Sequence, residues 1–245
     1  MWRWILATIF FSQSAIAFNV APIIAEISPA GAAAQQIYTV GNTRDKEIDV
    51  SVTPYYFLLD NGEGEPRIAT EEFLIIPDTL TVQPGESHAV LVKYIGDPTK
   101  ALSVTYRISF EEINNIVDEQ DKIIGDKPNS KEDSELDLSF KLRYGAMLSV
   151  IPTDAKGNIE VDNVTTNKDG NYVIDITNSG TRFVLLSQTR WSIKTDNTRS
   201  TKTYNADKLG EFININYFPP KTSKRLILNK NFDHNISNIT SISIE

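Results

Sequence analysis

Few residues of this 245-residue chain are typed and spaced for chemistry. The closest acids are two adjacent pairs, Glu71-Glu72 and Glu111-Glu112. A carboxylate pair does general acid–base work only when both groups reach one substrate. Both pairs lie in β-forming surroundings, where neighbouring residues point to opposite faces, so neither pair can share a substrate. The two histidines, His88 and His234, have no acid or cysteine at metal-ligand spacing, and the chain has no cysteine at all. There is no Ser/His/Asp order, glycine-rich phosphate loop or metal cluster. These features predict a protein that is not an enzyme, with no catalytic residue, metal or cofactor and no small-molecule substrate. A net charge of −8 also argues against a nucleic-acid partner.

What chemistry the chain offers is therefore that of backbone and apolar side chains, and it concentrates in residues 135–152, ELDLSFKLRYGAMLSVIP. Leu136, Leu138, Phe140 and Leu142 alternate with Asp137, Ser139, Lys141 and Arg143. A period of two over eight residues marks a half-buried β-strand. From Tyr144 the pattern loosens, and the run closes at Ile151-Pro152.

The segments upstream read as short strands separated by turn residues: 18–27, 36–40, 47–59, 73–76, 79–82, 87–94 and 102–113. Pro54 within 47–59 marks a bend or an edge position. Gln83-Pro84-Gly85 and Gly96-Asp97-Pro98 break the chain between strands. About seven strands at regular spacing, with no convincing helix, predict an immunoglobulin-like sandwich. Residues 114–134, NNIVDEQDKIIGDKPNSKEDS, are too long and too charged for an ordinary connection and read as a functional or disordered loop.

The first 17 residues, MWRWILATIFFSQSAIA, combine Arg3, a short apolar run and an Ala15-Ile16-Ala17 cleavage signal. This is the pattern of a secretory signal peptide, too short to span a bilayer. It predicts a secreted chain starting at Phe18 without stable membrane insertion. Lacking cysteine, that chain relies on its core alone. Beyond Pro152 a second series of strands is expected at 172–177, 182–194, 212–217, 224–228 and 236–244. Turns fall at Asn178-Ser179-Gly180 and at residues 218–221, with a solvated hairpin loop at 195–202. Asn163, Asn235 and Asn238 lie in glycosylation sequons read as chance.

In order along the chain, several segments resemble the periplasmic pilus-assembly chaperones, the family of the P-pilus chaperone. They are Asn19 to Pro22 with ISPAG at 27–31, YTVGN at 38–42, EFLIIP at 72–77 with Gln83-Pro84-Gly85, YRISFEEI at 106–113, IDITNSG at 174–180 and FPPKTSKR at 218–225. The match covers nearly all of 18–245. It implies an all-β protein of two immunoglobulin-like β-sandwich domains in tandem: a signal peptide at 1–17, an N-terminal domain at 18–152 with a donor strand at 135–150, and a C-terminal domain at 153–245. It also implies a periplasmic location, pilus or fibre subunits and an outer-membrane usher as partners, and donor-strand complementation as the mode of action.

A subunit lacking one strand exposes a groove and unpaired edges. The chaperone's strand fills that groove with Leu136, Leu138, Phe140 and Leu142, each burial worth roughly 1.5–3 kcal/mol before ordering costs. The best-known members hold the subunit's terminal carboxylate with an Arg on the first strand and a Lys late in the donor strand. Ungapped alignment places Glu26 and Met147 there, and neither can bind a carboxylate. Arg107, Lys141 and Arg143 are the nearby cations that could substitute. Two other readings stand beside this one. A pilus subunit or adhesin would want an N-terminal donor extension, and a ligand-binding β-sandwich protein would want clustered aromatics, for which Trp191, Tyr55 and Tyr56 are the candidates.

Overall fold

Two prolines divide strands between the two sheets of the first sandwich. Strand β1 (Phe18–Ala21) ends at Pro22, and β2 (Ile24–Ile27) continues in the other sheet. In the same way β5 (Phe73–Ile76) ends at Pro77, and β6 (Thr79–Val82) crosses over. Proline has no N–H to give a ladder, so it suits a point where pairing must stop. The computed structural model describes residues 18–57, 67–113, 142–195, 201–205, 209, 211–213, 216–233 and 239–245.

The remaining strands of this half are β3 (Gln35–Asn42), β4 (Ile48–Tyr56), β7 (Ser87–Tyr94), β8 (Val104–Glu112) and β9 (Arg143–Val150). One sheet has the order β1-β3-β7-β5 and the other β2-β9-β8-β4-β6; all pairs are antiparallel except β2 with β9. Alternation places Tyr106, Ile108 and Phe110 of β8 and Ala146, Leu148 and Val150 of β9 on the inner face, all fully buried. They pack against Tyr38 and Val40 of β3 and Val90 and Val92 of β7. Pro54 sits where β6 no longer flanks β4, so its missing N–H costs the sheet no ladder bond. Gly85, with φ 76°, provides the left-handed residue of the Gln83-Pro84-Gly85 turn, closed by Glu86 N–H to Gln83 O at 3.0 Å.

The second half is a smaller sandwich. β10 (Ile159–Thr166), β11 (Tyr172–Asn178) and β16 (Thr222–Leu228) form one sheet, and β14 (Lys202–Asn205), β13 (Arg190–Thr195) and β17 (Ile239–Ile244) another. A two-stranded ribbon pairs β12 (Val184–Leu185) with β15 (Tyr217–Phe218). Trp191 and Ile193 pack with Ile174, Ile176, Leu226 and Leu228 to make its core.

Four sequence expectations need correction here. The run 18–27 is not one strand, because Pro22 divides it between the two sheets. The stretch 182–194 is not one strand: a 3-10 turn at Leu186–Gln188 divides it, buries Leu186 and is tied down by Ser187 N–H to Asn216 Oδ1 at 2.8 Å. Within 212–217 the described residues contribute an isolated bridge at Ile213 and the start of β15. β10 was not anticipated, because a register shift between Val161 and Asn163 breaks its alternation. The expected long loop at 114–134 lies outside the described residues, as do residues 1–17.

A candidate strand-pairing edge beside the cleft between the sandwiches

Among the described residues, strand β9 is paired on one side along its whole length and on the other side along only half. Antiparallel to it, β8 pairs from Glu111↔Arg143 to Val104↔Val150. On the opposite side β2 pairs only with Met147 to Val150. Met147 N–H donates to Ile23 O at 2.8 Å and Ile151 N–H to Ile27 O at 2.8 Å, whereas Leu142 O accepts from Glu112 N–H of β8 at 3.1 Å. Odd-numbered residues of β9 therefore direct their backbone groups toward β2, and even-numbered ones toward β8. Arg143 and Gly145 lie beyond the reach of β2. Among the described residues no strand pairs with their outward N–H and C=O groups, which makes this an open sheet edge.

The side chains on the inner face of β9 tell a second part of the story. Ala146, Leu148 and Val150 are fully buried, but Tyr144 and Leu142 are only partly buried against the same core. The strand thus emerges from its own sandwich toward its N-terminal end. Leu142 is the one donor-strand candidate inside the described residues; Leu136, Leu138 and Phe140, and with them Lys141, lie outside. The described strand begins at Arg143 rather than at 135.

On the outer face of the sheet, register aligns two rows. Ile24, Met147, Arg107 and Tyr55 form one, and Glu26, Ser149 and Thr105 the other. The second row is gripped by the second sandwich. Arg182 donates to Glu26 at 2.7 and 2.8 Å, and the Tyr217 hydroxyl donates to Thr105 Oγ1 at 2.9 Å. Ser103 joins the halves again, giving its N–H to Thr181 O at 2.9 Å and accepting the Phe183 N–H on Oγ at 2.8 Å. The rings of Phe57 and Phe183 flank Tyr217 at 5.0 and 5.4 Å. Burial pushes the Tyr217 phenol up, so it stays neutral as a donor.

The candidate cations are placed differently from one another. Arg107 is half-buried beside the cleft, its stem lying over Gly145 and its guanidinium 5.5 Å from the Phe57 ring. Arg143 stands four residues along the strand, about 13 Å away, and is ion-paired with Glu111. Both face outward, but they do not converge. Glu26 and Met147 do occupy the same outer face. Arg182 supplies a guanidinium there from the second sandwich, which no local sequence pattern indicated.

The acid pairs divide as alternation requires at one site and for a different reason at the other. Glu111 faces outward to Arg143 and Arg67, while Glu112 turns inward to Arg44 at 2.6 and 3.0 Å. Glu71 and Glu72 lie in a bend instead of a strand. Glu71 is exposed, whereas Glu72 accepts from Tyr106 at 2.6 Å, Lys100 at 2.7 Å and Tyr56 at 3.2 Å. His88 is exposed, 3.3 Å from Glu86, and His234 lies outside the described residues. Among the described residues no three His, Asp or Glu side chains could hold a metal ion, and no helix is long and apolar enough to cross a membrane.

Tandem immunoglobulin-like sandwiches make a fold that recurs in solved structures. The class 5 fimbriae chaperone CfaA matches with a TM-score of 0.54 at 17% identity, over 94% of this chain and 98% of its own. A chain of the Salmonella enterica SafA pilin complex with the SafB chaperone matches with a TM-score of 0.55 at 12% identity, over 96% and 98%. A chain of the CsuC–CsuE chaperone–tip subunit complex, from archaic chaperone-usher Csu pili of Acinetobacter baumannii, matches with a TM-score of 0.53 at 13% identity, over 94% and 97%. No protein-family model and no curated protein sequence matches the chain. The fold is that of the fimbrial chaperones, two immunoglobulin-like β-sandwiches in tandem.

Proposed function

We propose that this protein is a periplasmic chaperone that binds, folds and caps pilus or surface-fibre subunits by strand donation, before delivering them to an outer-membrane usher. On this reading residues 1–17 are removed after Ala17, residues 18–152 form the client-binding domain, and 153–245 form the second domain. No chemistry is performed and no cofactor is used.

The observation that carries the reading is the open edge of β9 at Arg143 and Gly145. An incoming subunit strand finds unpaired backbone donors and acceptors there, which give affinity without reading sequence. The apolar alternation of Leu136, Leu138, Phe140 and Leu142 has the same parity as Tyr144 and Ala146. It would therefore present its apolar side to a subunit groove as the strand leaves its own core. The fold shared with CfaA and with chains of the SafB and CsuC complexes supports the same assignment. Of the described anchor candidates Arg107 and Arg143, Arg107 is set beside the cleft, and its cation would form charge-assisted hydrogen bonds to a terminal carboxylate.

Replacing Arg143 by proline and by alanine tests this. Both variants lose the ion pair to Glu111, but only proline removes the N–H at the open edge. Pull-down of a fibre subunit co-expressed in the periplasm should fail with Arg143→Pro and succeed with Arg143→Ala. Equal capture by both, with both folded, would show that the edge is not where a client pairs.

A further inference from the structure

A second site lies in the cleft between the sandwiches, where β4 and β8 face β15 and β16. Phe57 after β4, residues 102–105 leading into β8, and residues of the second sandwich around β15 and β16 surround a pocket of about 520 Å³. This is within the size range of small-molecule sites. Its wall is largely apolar, built from Tyr56, Phe57, Leu102, Pro219 and Pro220. Most of its polar atoms are already engaged by the fold. Tyr217 donates to Thr105, Ser103 Oγ accepts from the Phe183 N–H, and Thr222 Oγ1 donates to Pro219 O at 2.8 Å.

Lys224 is different. It stands on the core-facing side of β16, opposite the fully buried Ile176, and is half-buried itself. Among the described residues no carboxylate pairs with it. Burial alone pulls its ammonium below the usual lysine range. A cation held in apolar surroundings without a counter-charge is a cost that a bound anion removes.

We propose that this pocket binds a small amphiphilic carboxylate, its acidic group on Lys224 and its hydrocarbon body along Tyr56, Phe57, Leu102 and the two prolines. One ammonium matches one anionic group, and the apolar wall matches a hydrocarbon body. A client's chain terminus is a poorer occupant. The pocket opens beside β8 and β4 with the Tyr217–Thr105 contact in its own wall, whereas the open backbone of β9 lies beyond β8 at Arg143 and Gly145, on the side of Arg107.

Calorimetric titration of the mature chain with decanoate and with decanol tests the assignment. Decanoate should bind saturably, and decanol about tenfold or more weakly, the scale of a hydrogen bond to a charged group. Lys224→Met should lower decanoate affinity by about tenfold or more, while Lys224→Arg and the exposed-site control Lys194→Met retain it. Leu102→Trp, at the pocket rim, should block binding independently if Lys224→Met fails to fold. Absence of saturable decanoate binding, or unchanged affinity in folded Lys224→Met, would overturn the proposal. So would binding confined to a peptide with a free apolar C-terminus, which would reassign the pocket to a polypeptide.

Discussion

Arg182 Nη2 donates to both carboxylate oxygens of Glu26, at 2.7 and 2.8 Å, across 156 residues of sequence and from one sandwich to the other. Glu26 begins the row that crosses β2, β9 and β8 through Ser149 to Thr105, and Thr105 receives the Tyr217 hydroxyl. The second sandwich thus holds both ends of one row. The C-terminal end of β9 is fixed in the middle of that row, while its N-terminal end rises out of its own core.

The two grips differ in strength. Arg182 and Glu26 side chains are 38% and 45% exposed, so Arg182→Ala should shift stability by no more than about 1 kcal/mol, less in high salt. Tyr217→Phe removes one hydroxyl but leaves Thr105 its 2.8 Å partner Ser149, and should cost about 1 kcal/mol. Urea unfolding measures both. A loss above about 3 kcal/mol for Arg182→Ala would show that this pair acts as a buried bridge.

Core membership along β9 should grade from one end to the other. Leu148 is fully buried, and Leu148→Ala should cost about 2–5 kcal/mol. Leu142 only rests against the core, so Leu142→Ala should cost about 1 kcal/mol or less while weakening client capture. Comparable losses at both positions in urea titrations would place Leu142 in the domain's own core.

Two glycines are predicted to respond to a methyl group to different extents. A Cβ at Gly145 would meet the flexible Arg107 stem at 2.7 Å, which can swing aside, so Gly145→Ala should cost about 1 kcal/mol or less and displace Arg107. A Cβ at Gly180 would meet backbone at Lys156 O, at Asn158 N (2.6 Å) and at Gly157 C (2.9 Å). Nothing there can yield cheaply, and Gly180→Ala should cost about 3 kcal/mol. Thermal melts of the pair decide it; equal losses would contradict the contrast.

Acid should weaken the first sandwich through Glu72. Burial alone would raise this carboxyl, but hydrogen bonds from Lys100 and Tyr106, with the Lys100 charge, outweigh it and hold the group below the usual glutamate range. A depressed folded-state value means the contribution is fully present above the unfolded value of about 4.3 and is lost as pH falls through the folded one. The stability gap between wild type and Glu72→Gln should be constant from pH 7 to 5 and narrow below pH 4.3. Urea midpoints across that range measure it, and a gap that widened in acid would reverse the assignment.

Strand content was readable where β-forming runs were bounded by turn residues or alternated without a break. The bounds of 73–76, 79–82 and 87–94 coincide with β5, β6 and β7, because Pro77 and the Gln83-Pro84-Gly85 turn delimit short runs of β-forming residues. Turns announced by Pro-Gly or Asn-x-Gly were equally plain. Reading failed where local pattern broke: the shifted register of β10, and the 3-10 turn that divides 182–194.

By itself, then, the sequence determined the class of structure: all-β, with apolar faces enough for two cores, punctuated at Pro77, while the division at Pro22 emerged only in the fold. It also placed the apolar alternation that leads into β9. Only the tertiary structure decided which edge of β9 is left open. That depends on β2 reaching no further than Met147, a matter of how two distant segments align. Only the tertiary structure, likewise, brought Arg182 to Glu26, Tyr217 to Thr105 and Lys224 into an apolar cleft. Periodicity is a local property of the chain, whereas these contacts join residues more than a hundred positions apart or set a charge in its surroundings, and no spacing in the sequence encodes either.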